Sequence, residues 1–267
     1  AVADFGRIVM VTNMVNWVID NGPHTAIGRW LGPTMLGTYT VANNLVKVPA
    51  DHLVRNLQVV LFPLTARAQG NDAGVRRAYL TALAGIGLLS MPVFTLVAVL
   101  AEPIVSVLLG AKWTAATAVL VPLSLAMVLH AVEAMCGPIL GGRGEPRAEL
   151  RIKLVVLAIT LATVSLTAQW SLAAVGWGVA FVFLARWVLM NGAVMRRLHI
   201  SAASFARNLA GSALLGALSW LVPTLLDHAL HSLDISLPPL GRLLVLGGGA
   251  AAVEVAVLVA LPQVVLG

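Results

Sequence analysis

Eight apolar segments, each close to the length of a membrane-spanning helix, account for most of this chain. A helix needs about 20 mainly apolar residues to cross the hydrocarbon core of a bilayer, and the connectors between the segments are too short to hold a folded domain. The sequence therefore predicts an all-α, polytopic membrane protein with about eight transmembrane helices. The predicted segments are residues 6–29, 35–66, 77–101, 115–141, 152–169, 172–195, 204–226 and 240–265.

The composition supports a membrane protein and excludes several other classes. Hydrophobic residues make up 59% of the chain and charged residues only 10%, whereas charged residues are roughly a quarter of a soluble domain. The net charge of +6 does not indicate nucleic-acid binding, because the basic residues lie in short clusters between apolar segments. The single cysteine, Cys136, cannot form an internal disulfide, and its apolar surroundings predict a buried thiol.

The basic residues between the segments alternate between the two sides of the predicted membrane. With eight helices, eleven of them fall on the side of the N-terminus and three on the opposite side. Because basic connectors stay in the cytoplasm, both termini are predicted to be cytoplasmic. The eleven are Arg7, Arg67, Arg76, Arg77, Arg143, Arg147, Arg151, Lys153, Arg196, Arg197 and Arg207, and the three are Arg29, Lys112 and Arg242.

The second segment carries charged residues at its centre, where a lipid-facing helix cannot place them without a large cost in free energy. At 100° per residue, seven polar residues between Thr38 and Thr65 fall within an arc of about 80°. This polar stripe must line an aqueous cavity or pair with another polar helix inside the protein. Its members are Thr40, Asn44, Lys47, Asp51, Arg55, Gln58 and Thr65.

The first segment has a matching polar stripe, formed by Asn13, Asn16, Asp20 and His24. Two consecutive antiparallel helices can turn such stripes towards a common space. We interpret the pair as the lining of a cavity, because seven polar positions on one helix exceed what is needed to hold helices together. The alternative is a static buried network in which Asp20 and Asp51 neutralise the two cations of the second segment.

The fourth segment adds His130 and Glu133, which lie one helical turn apart. They are candidates for a protonatable site that couples transport to an ion. In the alternative interpretation, Glu133 pairs with a neighbouring helix. The sequence leaves the orientation of two further charged residues, Arg186 and Glu254, open.

One helix break is predicted. The run Asn21-Gly22-Pro23 lies near the far end of the first segment, and its proline lacks a backbone donor. We therefore expect the first helix to be interrupted there, and the alternative is the ordinary tolerance of proline in membrane helices.

Neither catalysis nor metal binding is predicted. The chain lacks paired cysteines, a His-Glu-x-x-His pattern and a phosphate-binding glycine loop. A group of two histidines and two aspartates lies in a short turn outside the membrane, where polar residues are expected in any case. These residues are Asp227, His228, His231 and Asp234. We therefore predict a protein that is not an enzyme and that uses no metal or cofactor.

Four short motifs with a fixed spacing lie between residues 27 and 116. A Leu-Gly pair ends the first segment, a second Leu-Gly with a nearby tyrosine opens the next, Phe-Pro closes it, and Leu-Gly followed by tryptophan comes after the third. They are Leu31-Gly32, Leu36-Gly37 with Tyr39, Phe62-Pro63, and Leu109-Gly110 with Trp113. In these motifs the chain resembles bacterial polysaccharide flippases of the MATE-like multidrug/oligosaccharidyl-lipid/polysaccharide exporter superfamily.

The resemblance implies the second half of such a transporter, which in this family surrounds a central cationic cavity. Residues 1–200 would form the second six-helix lobe and residues 201–267 an additional transmembrane pair. The first lobe, or a second chain in its place, would lie outside this sequence. The implied function is to move lipid-linked oligosaccharide or polysaccharide precursors across the bacterial cytoplasmic (inner) membrane, for the synthesis of lipopolysaccharide, exopolysaccharide or another cell-surface polysaccharide.

The resemblance also implies roles for the polar stripes. Lys47 and Arg55 would bind the diphosphate of a polyprenyl-linked substrate, while its polyprenyl tail stays in the membrane lipid. Asp20 and Asp51 would limit the positive charge of the empty cavity. The amides that would bond sugar hydroxyls are Asn13, Asn16, Asn44 and Gln58.

Three other functions remain open from the sequence. A drug or cation exporter of the same superfamily would place Asp20 and Glu133 at the centre of its site, although the cations of the second segment argue against a cationic substrate. A membrane glycosyltransferase or polysaccharide polymerase would need a large polar loop or an acidic catalytic cluster, and the sequence has neither. A truncated remnant would not transport at all.

Overall fold

The computed structural model describes residues 2–67, 71–142 and 146–260, and this part of the chain is helical apart from short turns. A 3₁₀ helix, Ala111–Ala116, precedes the fifth α-helix. The α-helices are α1 (Val2–Trp30), α2 (Gly32–Arg67), α3 (Asp72–Val99), α4 (Ala101–Leu108), α5 (Thr117–Glu133), α6 (Cys136–Gly142), α7 (Pro146–Thr167), α8 (Leu172–Arg197), α9 (Ala202–Ser232) and α10 (Pro239–Ala260).

The eight predicted segments correspond to these helices, with two differences. The fourth segment is divided into α5 and α6, and the short helix α4 lies outside the predicted segments. Within the described residues, six spans are long and apolar enough to cross a membrane: α3, α5 together with α6, α7, α8, α9 and α10. The prediction of an all-α, polytopic membrane protein is therefore confirmed.

The remaining two long helices, α1 and α2, differ from the six spans in composition. With 29 and 36 residues they have the length to cross a bilayer. Their polar stripes make them less apolar, but both helices also contribute to the packed interior, since Ile27, Ala42, Val46 and Ala50 are almost completely buried. Both helices are thus integral parts of the bundle.

The hydrophobic core falls into two main clusters near opposite ends of the bundle. One lies around the α1–α2 and α7–α8 junctions and includes Tyr39, Leu120 and Val175. The other lies around the starts of α3 and α9 and includes Tyr79 and Phe205. The helix ends are thus grouped as the alternation of basic connectors predicts, and the assignment of one end to the cytoplasm stays a prediction.

Two Leu-Gly motifs owe their glycine to backbone geometry. Gly32, at the turn between α1 and α2, has a φ angle of +85°, and Gly110, after α4, has a φ angle of +86°. This left-handed region is open to glycine but strained for residues with a Cβ atom. The motifs therefore mark the places where the chain reverses direction between helices.

The predicted break at residues 21–23 is wrong, because α1 continues to Trp30. Pro23 withholds a single backbone donor, and the other hydrogen bonds of the helix hold because an unpaired backbone group is costly in an apolar environment. The interruption instead falls in the fourth segment, between Glu133 and Cys136.

The hairpin of α9 and α10 packs against α3 and α4. The α3–α9 contact is close, since a Cβ atom on Gly87 would lie 2.8 Å from Ser212 Oγ. Glu254 of α10, whose orientation the sequence left open, accepts a hydrogen bond from the Ser219 hydroxyl of α9. The division of the chain into a six-helix lobe and an additional pair at residue 200 stays a prediction.

Candidate functional site

A polar cavity of about 480 Å³ lies between α1, α2, α5, α6, α7 and α8. The polar stripes of α1 and α2 contribute to its wall, together with charged residues from the other helices. Its lining residues are Asn16, Asp20, Lys47, Asp51, Val54, Arg55, Gln58, His130, Glu133, Ala134, Gly137, Glu149, Lys153, Arg186 and Met190.

The charges of this lining balance. Four side chains are basic, four are acidic, and His130 makes a ninth titratable group. The basic residues are Lys47, Arg55, Lys153 and Arg186, and the acidic residues are Asp20, Asp51, Glu133 and Glu149. The described part of the cavity is therefore formally neutral when the histidine is neutral, whereas the resemblance implied a cationic cavity.

The charged side chains of the lining form a network of ion pairs, and Lys47 lies at the centre of its more exposed half. Its Nζ is 3.2 Å from Asp20 Oδ2 and 3.6 Å from Asp51 Oδ2. The other oxygen of Asp51, Oδ1, is 3.1 Å from His130 Nε2. These contacts link α1 to α2 and α2 to α5.

Glu133 lies at the centre of the more buried half of this network. Its Oε2 is 2.8 Å from Arg186 Nε, and its Oε1 is 3.3 Å from Lys153 Nζ. His130 Nδ1 is 4.0 Å from the same carboxylate, and Arg186 Nη1 is 3.9 Å from Asp20 Oδ1. The ion pairs therefore close into a ring that joins α1, α2, α5 and α8, with α7 attached through Lys153.

The two halves of the ring differ in exposure. The side chains of Glu133 and Lys153 are each 3% exposed, whereas those of Asp20 and Asp51 are 33% and 38% exposed. A buried ion pair is strongly destabilised when one partner is removed, because the other charge is left uncompensated in an apolar environment. The ion pairs of Glu133 therefore stabilise the packing of the helices. The ion pairs of Lys47 instead lie on an accessible polar surface.

Arg55 differs from the other three cavity cations, which all form ion pairs with carboxylates. Its side chain is exposed, and it forms no ion pair with any residue in the described ranges. The static-network alternative requires aspartates to neutralise both cations of the second segment, but only Lys47 is neutralised in this way. The cavity thus presents a guanidinium group that is available to an external anion.

The four amide side chains that were predicted to bind sugar hydroxyls differ in their position and in their hydrogen bonds. Asn16 lies at the cavity and its buried Oδ1 has no hydrogen-bond partner within the described residues. Gln58 also lies at the cavity, but its Nε2 donates to the carbonyl oxygen of Ala134 at 2.6 Å. Asn13 and Asn44 are exposed and do not belong to the lining. The sugar-binding roles of all four stay predictions.

Three charged residues of the site were not recognised in the sequence. Lys153 was assigned to a cytoplasmic connector, but it is only 2% exposed and pairs with Glu133. Glu149 lies one turn before it on α7, which begins at Pro146 and not at residue 152. Arg186, whose orientation was open, points into the bundle. The 4-residue spacing of Glu149 and Lys153 is the signal that extends the helix towards its true start.

The interruption between α5 and α6 borders the cavity. Pro138 has no N–H group to donate to the carbonyl of Ala134, four residues earlier, and the Gln58 amide supplies that hydrogen bond instead. On the other side of α6, the Tyr79 hydroxyl donates to Asn191 Oδ1 at 2.7 Å. The thiol of Cys136 lies 3.5 Å from the same oxygen and is buried, as predicted.

Replacing Gln58 with methionine is expected to lower the free energy of unfolding by about 1–3 kcal/mol, because the Ala134 carbonyl loses its donor. With Pro138→Ala, a backbone N–H becomes available to that carbonyl, so the same replacement is expected to cost clearly less. Thermal unfolding of the four variants in detergent forms a double-mutant cycle that measures this coupling. Equal costs in the two backgrounds would contradict the assignment.

The histidines and aspartates of the α9–α10 turn lie at the other end of the bundle from the α3 and α9 starts. Arg242 Nε and Nη2 are 2.8 Å and 2.7 Å from the two carboxylate oxygens of Asp227. The described residues include no group of three or more His, Cys, Asp or Glu side chains arranged to hold a metal ion. Asp227 thus forms an ion pair with Arg242 that joins α9 to α10.

The motif-bearing part of the chain matches a family of known proteins. The family model described as "Polysaccharide biosynthesis protein" matches residues 1–118, which include α1, α2 and α3 and hence both polar stripes. Among curated proteins, the teichuronic acid biosynthesis protein TuaB of Bacillus subtilis is 26% identical over 206 residues, which are 74% of this chain and 42% of TuaB. In these parts the chain is similar to bacterial polysaccharide biosynthesis proteins.

Two further relatives agree with this conclusion. The lipopolysaccharide biosynthesis protein WzxC of Escherichia coli is 26% identical over 152 residues, which cover 57% of this chain and 30% of WzxC. The succinoglycan biosynthesis transport protein ExoT of Rhizobium meliloti is 27% identical over 125 residues, which cover 47% of this chain and 25% of ExoT. No solved structure matches the chain. The resemblance found in the sequence motifs is confirmed, and the chain spans less than half the length of these relatives.

Proposed function

We propose that this chain is the second half of a flippase that moves lipid-linked oligosaccharide or polysaccharide precursors across the cytoplasmic membrane, for cell-surface polysaccharide synthesis. The observation that carries the proposal is the polar cavity between spanning helices, whose wall includes the guanidinium of Arg55 with no ion pair to any described residue. The relatives include a transport protein, ExoT, which supports transport and not catalysis as the activity.

The chemistry of such a substrate explains why a charged cavity is needed. A diphosphate and a sugar head cannot enter hydrocarbon without losing their hydration, which costs several kcal/mol for each unpaired polar group. Arg55 offers two parallel N–H donors, which match two phosphate oxygens. The diphosphate is proposed to bind there first, because this guanidinium has no ion pair to break with any carboxylate in the described part of the chain.

Lys47 is proposed as the second ligand of the diphosphate. Its ammonium group lies between two carboxylates and is a quarter exposed, so an incoming anion can compete for it. When Lys47 turns to the phosphate, Asp20 and Asp51 lose a shared cation. Binding of the substrate therefore changes the contacts of both aspartates, which lie on different helices.

A cationic substrate fits this arrangement poorly. Glu133, which a cation exporter would use, is buried between Arg186 and Lys153. Asp20 and Asp51 share Lys47. Each of these carboxylates would have to leave a protein cation before it could bind a cationic drug.

Ion coupling is proposed to act through His130 and Glu133. His130 lies between Asp51 at 3.1 Å and Glu133 at 4.0 Å, so it connects the exposed half of the ring to the buried half. A proton taken up by the histidine would strengthen both contacts and make the described cavity net positive. Substrate binding and proton binding would then favour each other.

The remaining features of the proposal concern assembly and location. A first lobe, or a second chain, is proposed to complete the cavity, in keeping with the greater length of the relatives. The end of the bundle that carries most of the exposed arginines is proposed to face the cytoplasm, with both termini on that side.

The test uses the complete transporter that contains this chain, reconstituted into liposomes. We expect it to move a fluorescent polyprenyl-diphosphate oligosaccharide to the inner leaflet, and not to accumulate a cationic dye. Empty liposomes and a phosphatidylcholine of similar size are the controls. Transport of the dye without the saccharide lipid would overturn the proposal in favour of a cation exporter, and movement of neither would favour a remnant.

A further inference from the structure

One cation and one anion of the cavity lining form no ion pair with any described residue. Arg55 is the cation, and Glu149, which is partly buried on α7, is the anion. The Glu149 carboxylate also accepts no hydrogen bond from a described residue. These two groups are therefore the charges of the lining that a ligand can bind without breaking an ion pair to the described part of the chain.

Glu149 lacks an ion pair because its neighbour of opposite charge is bound elsewhere. Lys153 follows Glu149 by four residues on α7, and this spacing and order favour an ion pair on a helix. The ammonium group of Lys153 instead lies 3.3 Å from Glu133 Oε1, in the buried half of the network. A tertiary contact thus takes from Glu149 the cation that its own helix supplies.

Arg55 lacks an ion pair for the same reason. Asp51 precedes it by four residues on α2, again in the order that favours an ion pair. The two oxygens of Asp51 instead lie 3.6 Å from Lys47 Nζ and 3.1 Å from His130 Nε2. The fold therefore leaves a guanidinium on one helix and a carboxylate on another to face the cavity.

The interruption between α5 and α6 shows that the two groups lie at the same end of the cavity. Gln58, three residues after Arg55 on α2, donates to the carbonyl of Ala134, the first residue after α5. Gly137 follows Ala134 by three residues, and a Cβ atom on it would lie 3.8 Å from Glu149 Oε1. Three residues correspond to about 4.5 Å along a helix, so Arg55 and Glu149 both lie within about one helical turn of residues that contact the interruption.

Gly137 leaves space in front of the Glu149 carboxylate. Apart from α6 itself, no described atom other than Glu149 Oε1 lies within 4 Å of the position that a Cβ atom on Gly137 would occupy. Both residues line the cavity. A carboxylate has about four acceptor positions and no donor, so the ligand that suits this space carries several O–H or N–H donors.

A saccharide attached to a diphosphate matches both groups. Its phosphate oxygens suit the guanidinium of Arg55, and the neighbouring hydroxyl groups of its first sugar can donate to the Glu149 carboxylate. A uronate in place of that sugar would bring a second negative charge towards Glu149. Two like charges about 4 Å apart in a hydrated site weaken binding about fivefold.

We propose that Glu149 accepts hydrogen bonds from hydroxyl groups of the first sugar, and that it thereby selects a neutral sugar over a uronate beside the diphosphate. The inference rests on the proposed function, because it requires the diphosphate to bind at Arg55. Glu149 holds no other helix through an ion pair or a hydrogen bond to a described residue, so it is a specificity-determining residue of the cavity.

The test measures initial transport rates of the complete transporter in liposomes, with two fluorescent polyprenyl-diphosphate saccharides. The two lipids differ only in the first sugar, which is glucose in one and glucuronate in the other. We expect the glucose lipid to move about fivefold faster, because the carboxylate of the glucuronate is repelled by Glu149.

Glu149→Gln keeps the shape of the side chain and removes its charge. We expect the glucose lipid to move about fivefold more slowly in this variant, because a neutral acceptor binds hydroxyl groups less strongly than a carboxylate. The glucuronate lipid is expected to move faster, so that the two rates converge. The matched control is Glu102→Gln, which removes a carboxylate at the other end of the bundle and is expected to leave both rates unchanged.

Gly137→Ala tests the space in front of the carboxylate. The added methyl group would be in ordinary contact with Glu149 Oε1, so the unfolding midpoint in detergent is expected to stay unchanged. Transport of the glucose lipid is expected to slow, because the methyl group takes the place of a sugar hydroxyl. An unchanged rate would count against the inference even if Glu149→Gln does not fold.

The outcomes separate this inference from the proposed function. Equal rates for the two lipids, or an equal slowing of both by Glu149→Gln, would overturn the selection by Glu149 and leave the flippase assignment intact. Movement of neither lipid by the unaltered transporter would overturn the proposed function itself, and with it this inference.

Discussion

Replacing Glu133 with glutamine is expected to lower the free energy of unfolding by about 3–5 kcal/mol, the largest effect of any single substitution considered for this protein. The side chain is 3% exposed and lies between Arg186 and Lys153. Glutamine has nearly the same shape, so the expected loss comes from the two buried cations: Lys153 loses its ion pair, and Arg186 keeps only the 3.9 Å contact with Asp20. Thermal or denaturant unfolding of the purified protein in detergent measures this loss.

The control for this prediction is Glu102→Gln. Glu102 also contacts an arginine, Arg242, but its side chain is 69% exposed, so its replacement is expected to cost at most about 1 kcal/mol. Adding Lys153→Met to the Glu133 variant removes the buried cation that has lost its ion pair and is expected to restore part of the stability. A Glu133 variant as stable as the Glu102 control would show that the ring of ion pairs does not hold the helices together.

Replacing Arg55 with glutamine is expected to reduce transport of the saccharide lipid by the complete transporter about 10- to 100-fold. This range corresponds to the 1.5–3 kcal/mol contributed by a hydrogen bond to a charged group. Because Arg55 is exposed and forms no ion pair with a described residue, the unfolding midpoint is expected to stay unchanged. Initial rates in liposomes and unfolding in detergent provide the two measurements.

Two further variants sharpen the interpretation of Arg55. Arg55→Lys keeps the charge but loses the paired donors, so an intermediate rate is expected. Lys112→Gln removes the same charge at the far end of the bundle and is expected to leave the rate unchanged. Transport that survives Arg55→Gln at the full rate would remove this residue from the site, and a loss of stability would show that it has a structural role.

Much of the fold follows from periodicity and length. Runs of about 20 apolar residues can satisfy their backbone groups in lipid only as helices, so the spans were predictable to within a few residues at most ends. The polar stripes could also be predicted from the sequence. A charged side chain in the middle of a span has a high cost in free energy, so its presence indicates a polar environment. Lys47, Asp51 and Arg55 recur every four residues, and all three line the cavity.

Periodicity could not predict which residues of different helices meet. Asn13 and Asn44 belong to the stripes but lie outside the cavity lining, because the cavity begins along the helix axis at Asn16 in α1 and at Lys47 in α2, almost one turn later. Pro138 was not predicted as a break, although Pro23 was. The difference is local: the carbonyl that Pro138 leaves free has a side-chain donor on a neighbouring helix, so the interruption is stabilised there.

The sequence by itself determined that the protein spans a membrane, that two consecutive helices carry polar stripes, and that it is related to polysaccharide biosynthesis proteins. Only the tertiary structure decided which charges are compensated. The partners of Glu133 come from helices that begin 13 and 39 residues later in the chain, and packing alone brings them within ion-pair distance. In that packing Lys47 is shared by two carboxylates, whereas Arg55 has no carboxylate partner in the described residues. The spacing of residues along the sequence could not predict this difference, because it depends on which helices lie next to each other.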